Sequence, residues 1–290
     1  MGTMVAVKWI RGGEFDGAGA PNLPAVVREA GCVAACRCHP GIVQIKNVDK
    51  SEETGDLYIV MELAGPSLRS RLEGQPFSED ETRDSMRQLL QAVEKLHATG
   101  TIHRDINPDN ILVGTDETLK ICGFGCATPA RHIGKMFLEK LLDGTTMQYR
   151  PSEQLIFSQY YGPEGDIYAL GCVIFELLTG EPLFTATTED DMMIEQTLEL
   201  SDELRKTHIH PWPILTMGVE AFDDVIDHLS LPGREVLAGL LSYDSWERPT
   251  AADALKHRWF TEEDVETKPP AAVEPEFPGF VPLFTQAYIG

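Results

Sequence analysis

Apolar residues recur at two different spacings along this chain, and the change between them divides it. Up to about residue 64 they come in short runs, at 4–10 (Met4-Val5-Ala6-Val7-Lys8-Trp9-Ile10), 42–48 and 57–63. Each run is bounded by glycine or by charged turn residues, which predicts β-strands. One stretch breaks the series: residues 25–36 read as a helix ending before His39-Pro40-Gly41, after a Gly/Pro/Ala-rich loop over 14–24. Beyond Gly65-Pro66 the spacing turns helical. Ser78-Glu79-Asp80-Glu81 has the form of a capping box. It opens a helix whose apolar face is Met86, Leu89, Leu90, Val93 and Leu96, stopped by Gly100. Residues 166–179 are hydrophobic nearly all round, which predicts a buried helix at the centre of a larger helical unit. Further helices are expected near 232–241 and 251–257. From Thr261 the chain is acidic and Pro-rich and reads as a tail without a core of its own. The expectation is an α+β chain with a small β-rich unit (1–64), a large helical unit (65–260) and a tail (261–290).

Composition narrows the function. The 290 residues suffice for two lobes sharing a cleft, and 42% hydrophobic content supports a proper core. With 24 Lys+Arg against 46 Asp+Glu, the net charge of −22 disfavours nucleic acid and anionic membrane as partners. No apolar run reaches the length of a membrane span, and no secretory leader is legible, so an intracellular location, cytoplasmic or nuclear, is expected. The six cysteines then read as reduced thiols. Cys36-x-Cys38-His39 lacks a second ligand pair and is read as ordinary thiols beside a turn rather than a metal site.

The chemistry sits in a few short stretches. Ile102-His103-Arg104-Asp105-Ile106-Asn107-Pro108-Asp109-Asn110, followed by Cys122-Gly123-Phe124-Gly125, resembles the catalytic and metal-binding loops of protein kinases, H-R-D-L-x-x-x-N and D-F-G. Val5-Ala6-Val7-Lys8 is similar to the V-A-I-K strand. Gln148-Tyr149-Arg150-Pro151-Ser152-Glu153 looks like the end of an activation segment, and Trp246-Glu247-Arg248-Pro249 like its partner motif. Taken in order over residues 3 to 260, these stretches resemble a Ser/Thr protein kinase of the cyclin-dependent-kinase-like type, and so imply a bilobal fold. The resemblance implies roles. Lys8, paired with Glu29, would meet the α/β-phosphates of ATP. Met61, Glu62 and Leu63 would form the hinge against the adenine, with Leu112 lining the same pocket. Asp105 would accept the substrate hydroxyl proton, and Asn110 would ligate Mg²⁺. Glu153 would pair with Arg248, and Asp166 would tie down the catalytic-loop backbone. Taken alone, Lys8 would be a snorkelling surface residue, a reading that the order of the motifs reverses; for Met61–Leu63 an interlobe linker with no ligand stays open as the alternative.

The chain also departs from the pattern. Gly123 stands where the metal-binding aspartate belongs and offers no oxygen. A bound Mg²⁺ stabilises transition-state charge by several kcal/mol, so this loss costs on the order of a thousandfold in rate. Asn107 replaces the lysine that neutralises the migrating phosphoryl group: it can donate a hydrogen bond but brings no charge. No G-x-G-x-x-G precedes Lys8, so either a small lobe lacking its first hairpin or a sequence truncated at its start is expected. No Ser, Thr or Tyr lies between Thr128 and Thr145, so Glu139 or Asp143 would have to meet Arg104 in place of a phosphate, and residues 136–142 would pack as a helix against the cleft. Three readings stay open: a pseudokinase that acts by binding, a Ser/Thr kinase with unusual metal handling, and a decayed product. ATP binding is expected to be weakened and Mg²⁺ retention poor. The partner is a protein, as binding partner or substrate. A cyclin stays among the candidates, although the segment Leu23-Pro24-Ala25-Val26-Val27-Arg28-Glu29 matches the cyclin-binding helix of the cyclin-dependent kinases only at Val27-Arg28-Glu29.

Overall fold

The computed structural model describes residues 4–11, 23–72, 75–130, 146–156, 162–189, 191–192, 229–242 and 244–261. They form two lobes, a small β-rich one and a larger helical one, in the protein-kinase arrangement. In the small lobe, β1 (Val5–Ile10), β2 (Ile45–Lys50) and β3 (Leu57–Glu62) make an antiparallel sheet in the order β1-β3-β2. Lys8 lies opposite Ile59 and Trp9 opposite Tyr58. Helix α1 (Leu23–Ala35) covers the inner face, where Val26, Leu57 and Ile59 form a small core. Its far half, at Cys32, Val33 and Cys36, joins the main core instead, so α1 bridges the two lobes.

Two boundaries differ from the sequence reading, and both for backbone reasons. The run beginning at Ile42 does not start as a strand of the sheet. Val43 N–H donates to Ile121 O (2.9 Å) and Ile121 N–H donates to Gly41 O (2.9 Å), which ties this segment to the large lobe. The sheet strand begins at Ile45. The helix expected over 251–257 ends at Ala254, where the bonding tightens to three-residue turns (Lys256 N–H to Asp253 O, 3.1 Å; His257 N–H to Ala254 O, 3.0 Å), and a separate short helix, Arg258–Thr261, follows. The predicted tail beyond Thr261, the segment 136–142, Glu139 and Asp143 all lie outside the described residues.

The large lobe is built on α3 (Glu79–Ala98) and α5 (Pro163–Thr179), which follow the short helices α2 (Leu68–Leu72) and α4 (Ser152–Ile156), and the short strand β4 (Thr101–Ile102) comes directly after α3. The capping box forms as expected, with Ser78 accepting from Glu81 N–H and Glu81 accepting from Ser78 N–H. Met86, Leu89, Leu90, Val93 and Leu96 are all buried on one face of α3. In α5 every residue from Gly165 to Leu177 is buried, as its all-round apolarity requires. Between the lobes, Gly65 lies so close to β5 (Ile111–Val113) that an added β-carbon would collide with the Val113 carbonyl oxygen. That contact fixes where the linker crosses, and Val113 N–H donates to Pro66 O (2.8 Å) beside it.

Arg248 pins the lower lobe. Its guanidinium grips Glu153 with two hydrogen bonds (2.6 and 2.9 Å), donates to Ser242 O (2.7 Å) and Glu164 O (3.1 Å), and lies over the Tyr168 ring. Its side chain is fully buried, so removing one partner strands the other's charge in the interior. Arg248→Ala is expected to lower stability by about 3–5 kcal/mol. Arg248→Lys should recover only part of this, because an ammonium cannot reproduce the two-pronged grip. Urea unfolding followed by tryptophan fluorescence would measure both.

Candidate active site

The site is assembled around the catalytic loop, which hangs from one buried carboxylate. Asp166, at the start of α5, accepts from His103 N–H (2.9 Å), Arg104 N–H (2.8 Å) and the His97 ring (2.9 Å). This is the anchoring expected of it. Burial on its own would raise the Asp166 carboxyl, but the hydrogen bond and electrostatic attraction of the His97 ring and the His103 amide hold it below its ordinary value. The anchor lets Arg104 take a left-handed backbone (φ 72°), uncommon for a residue with a side chain. His103 then turns inward. Its Nδ1 accepts from Asp105 N–H (3.3 Å), so Nε2 carries the proton and donates to Cys122 O (2.8 Å). Its ring meets Phe124 edge-on, with centroids 4.7 Å apart.

Asp105 and Asn110 come together as expected, but in an unexpected relation. The Asp105 carboxylate already accepts three hydrogen bonds: Thr146 N–H (2.7 Å) and Asn107 Nδ2 (3.2 Å) on Oδ1, and Asn110 Nδ2 (2.7 Å) on Oδ2. Asn110 Nδ2 also donates to the Asp105 carbonyl (2.9 Å). Asn107 is buried and fully engaged. Its Oδ1 accepts from Asp109 and Asn110 N–H (3.0 and 3.3 Å), capping the turn Pro108–Asn110, while its Nδ2 also reaches Thr146 Oγ1 (3.0 Å). A lysine there could not accept those backbone N–H groups. Asn107 thus stitches the loop together, beyond the single hydrogen bond its chemistry suggested.

Gly123 has a left-handed backbone (φ 78°), and the space where a side chain would begin is filled by Asn110: an added β-carbon would collide with the Asn110 amide. Family resemblance assigns Mg²⁺ to this place. Mg²⁺ demands oxygen ligands in near-octahedral geometry and is usually held by one or two carboxylates plus phosphates. Here Gly123 brings no oxygen, the Asp105 carboxylate is taken up by three donors, and Asn110 Oδ1 leans over Gly123. These residues do not fit a phosphate-bridging Mg²⁺.

On the other side of the Phe124–Cys126 turn, Lys8 Nζ lies 2.8 Å from both carboxylate oxygens of Glu29. The pair borders Gly125, where an added β-carbon would stand 3.7 Å from Lys8 Nζ and 3.9 Å from Glu29 Oε2. The Lys8 side chain is 42% exposed and that of Glu29 10%. Met61 is half-buried on β3, and Leu63 is 55% exposed at the hinge. Glu62 accepts from Gln44 N–H (2.9 Å) and pairs with Lys120 (3.1 Å) of β6 (Leu119–Ile121), joining the lobes. Leu112 is half-buried on β5, opposite Lys120.

Sequence reasoning missed Thr146 and Arg69. Thr146 carries the backbone donor closest to Asp105. Arg69, on α2, reaches Tyr149 Oη (2.7 Å), Asp109 (3.4 Å) and the buried Glu176, with which it forms an ion pair. Tyr149 donates to Glu176 (2.5 Å), and burial pushes its phenol up to about 12. No local pattern marks either residue, since both act through partners far away in sequence. The cysteines are dispersed. Burial raises the thiols of Cys32, Cys36, Cys122 (to about 11), Cys126 and Cys172, while Cys38 is exposed.

Comparison with known proteins accords with this geometry. The family described as Protein kinase domain matches residues 1–260. The chain is 36% identical over 285 residues to the putative cyclin-dependent kinase F-2 of Oryza sativa subsp. japonica, covering 91% of this chain and 84% of that protein. It is 33% identical over 254 residues to cyclin-dependent kinase G1 of Arabidopsis thaliana, covering 81% of this chain but only 41% of that longer protein. It is 28% identical over 299 residues to the serine/threonine-protein kinase ppk23 of Schizosaccharomyces pombe, covering 97% of this chain and 70% of that protein.

Two outcomes follow from the loop geometry. Because Asp166 stays ionised in the fold to lower pH than in the unfolded chain, its contribution is fully present above about pH 4 and is lost as pH falls through its lowered value. Asp166→Asn should therefore lower stability at neutral pH and flatten its acid dependence below about pH 4, as read by thermal melts across pH. Gly123→Ala should cost about 1–2 kcal/mol for its left-handed backbone, plus the collision with Asn110. Adding Asn110→Gly should relieve the collision part alone, which a double-mutant cycle would separate.

Proposed function

Because the chain belongs to the protein kinase domain family, we propose that it is a cyclin-dependent-kinase-like domain that takes up a nucleotide, transfers phosphate poorly or not at all, and works by binding other proteins. The observation that carries this reading is the closed clasp of Thr146, Asn107 and Asn110 on Asp105, with Asn110 filling the space over Gly123. A substrate hydroxyl would have to share the carboxylate with those three donors, on the one acceptor site they leave. Transition-state charge would develop beside Asn107 and Gly123, neither of which brings charge to meet it. The side-chain oxygens left for an ion at the loop are Asn110 Oδ1 and the carboxylate of Asp109, which Arg69 also contacts, and this supports weak Mg²⁺ retention at best.

The nucleotide end supports binding. Lys8 is held by Glu29 with its side chain partly exposed, and by the family's pattern Met61-Glu62-Leu63 and Leu112 would meet an adenine. The phosphates would lie against Lys8 and the base against hinge backbone. Partners are proteins; a cyclin is one candidate, on the likeness to cyclin-dependent kinases. A second reading, an active Ser/Thr kinase, draws on the same formed Lys8–Glu29 pair and on the intact Asp166 anchor.

Thermal unfolding with ATP, in Mg²⁺ or in EDTA, separates the two. The expected result is an ATP-dependent rise in Tm of similar size in both buffers. Transfer of labelled γ-phosphate to a basic protein substrate should not exceed that of Asp105→Ala. Transfer that vanishes in Asp105→Ala, with a Tm rise that needs Mg²⁺, would establish the active kinase instead.

A further inference from the structure

Burial along α1, among its described residues, follows one stripe. Val26, Glu29, Cys32, Val33 and the adjoining Cys36 are buried, at spacings of three and four, while Val27, Gly31, Ala34 and Ala35 are exposed. Helical spacing of that kind puts all five buried residues on one face. The carboxylate that pairs with Lys8 therefore shares its direction with the side chains that follow it. Rotating the helix to turn Glu29 away from Lys8 would withdraw Cys32, Val33 and Cys36 from their places as well.

Those places are in the large lobe. Val26 packs with Leu57 and Ile59 of the sheet, but Cys32, Val33 and Cys36 belong to the main core. Two of these contacts are polar as well as apolar. Cys36 Sγ lies 3.4 Å from Thr99 Oγ1, whose own hydrogen goes to Leu96 O (2.7 Å), so the thiol donates. Cys32 hydrogen-bonds the side chain of Thr101 on β4. Thr99 caps α3 and Thr101 is buried, so both partners are fixed parts of the large lobe. Just beyond, Gly41 comes so near α3 that an added β-carbon would stand 2.9 Å from the Ala92 β-carbon. A buried cysteine packs as a small hydrophobe with a weak donor, and a close-packed interior resists partial withdrawal. The exposed side of α1 gives another protein less to grip. Hot spots of interfaces are enriched in Trp, Tyr and Arg, whereas Val27, Gly31, Ala34 and Ala35 carry little beyond a β-carbon or its methyls.

We propose that α1 is latched to the large lobe by this stripe, so that the chain alone, with no second protein on the exposed side, holds Glu29 toward Lys8. A partner that takes that side meets a helix already set. The latch uses neither nucleotide nor the Asp105 carboxylate, so it stands or falls separately from the proposed function.

The stripe carries its own probes. Iodoacetamide alkylation of the native chain, read by peptide mass spectrometry, gives a rate for each cysteine. Dividing by the rate of the same cysteine in the urea-unfolded chain removes differences in thiol reactivity. Cys172, fully buried within α5, reports opening of the large-lobe core. Cys32 and Cys36 are expected to fall within about tenfold of Cys172, as parts of one cooperative unit, and Lys8→Met should leave all three unchanged. If Cys32 and Cys36 react together more than about tenfold faster than Cys172, α1 leaves the large lobe on its own and the proposal is overturned. An increase at Cys32 and Cys36 confined to Lys8→Met would also overturn it, by assigning the hold to the ion pair. So would protection that grows with protein concentration, by assigning the hold to a second copy.

Discussion

One buried carboxylate sets the geometry on which the rest of the site depends. Asp166 is 1% exposed, and a charge so placed is tolerated only because two backbone N–H groups and the His97 ring point at it. In return it fixes the peptide planes of His103 and Arg104. The left-handed turn at Arg104 follows, and with it the inward His103 ring, its bond to Cys122 O and the edge contact with Phe124. Asp105 leaves that turn in the one direction that presents its carboxylate to Asn107, Asn110 and Thr146. A chain of local choices is thereby governed from the N-terminal turn of α5.

The two ends of the cleft are in contrasting states. At the sheet end, Lys8 and Glu29 are paired with each other, and the lysine side chain is partly exposed. At the loop end, Asp105 is enclosed by its own neighbours. Gly123 makes this possible: with no β-carbon, it lets the Asn110 amide swing into the space beside it. The glycine therefore does more than delete a ligand, because its vacancy is what allows the asparagine to close on the carboxylate.

What the sequence revealed were pairings tied to motifs. Lys8 with Glu29, Glu153 with Arg248, and Asp166 with the loop backbone are each marked by short stretches, and all three form. The capping box at Ser78 was legible because both of its hydrogen bonds are local. What stayed hidden was non-local or depended on rotamers. That Ile42 and Val43 leave the sheet for Ile121 depends on a backbone partner 79 and 78 residues away, which no periodicity reports. Thr146 acts through its backbone N–H, so its side chain gave no signal. Asn107 read as a loss of charge, although its two-sided amide is what holds the turn.

The burial of the thiols carries a consequence for how the protein can be handled. A thiol reacts as its thiolate, and burial suppresses that form at Cys32, Cys36, Cys122, Cys126 and Cys172. Cys38 alone of the six stands exposed, in the left-handed turn after α1 and beside the bridge between the lobes. At neutral pH a maleimide dye meets Cys38 first, ahead of the partly exposed Cys122 and Cys126 with their raised thiols. The native chain thus carries a preferred labelling position, next to the helix whose orientation sets the Lys8–Glu29 pair, for reporting lobe movement by fluorescence.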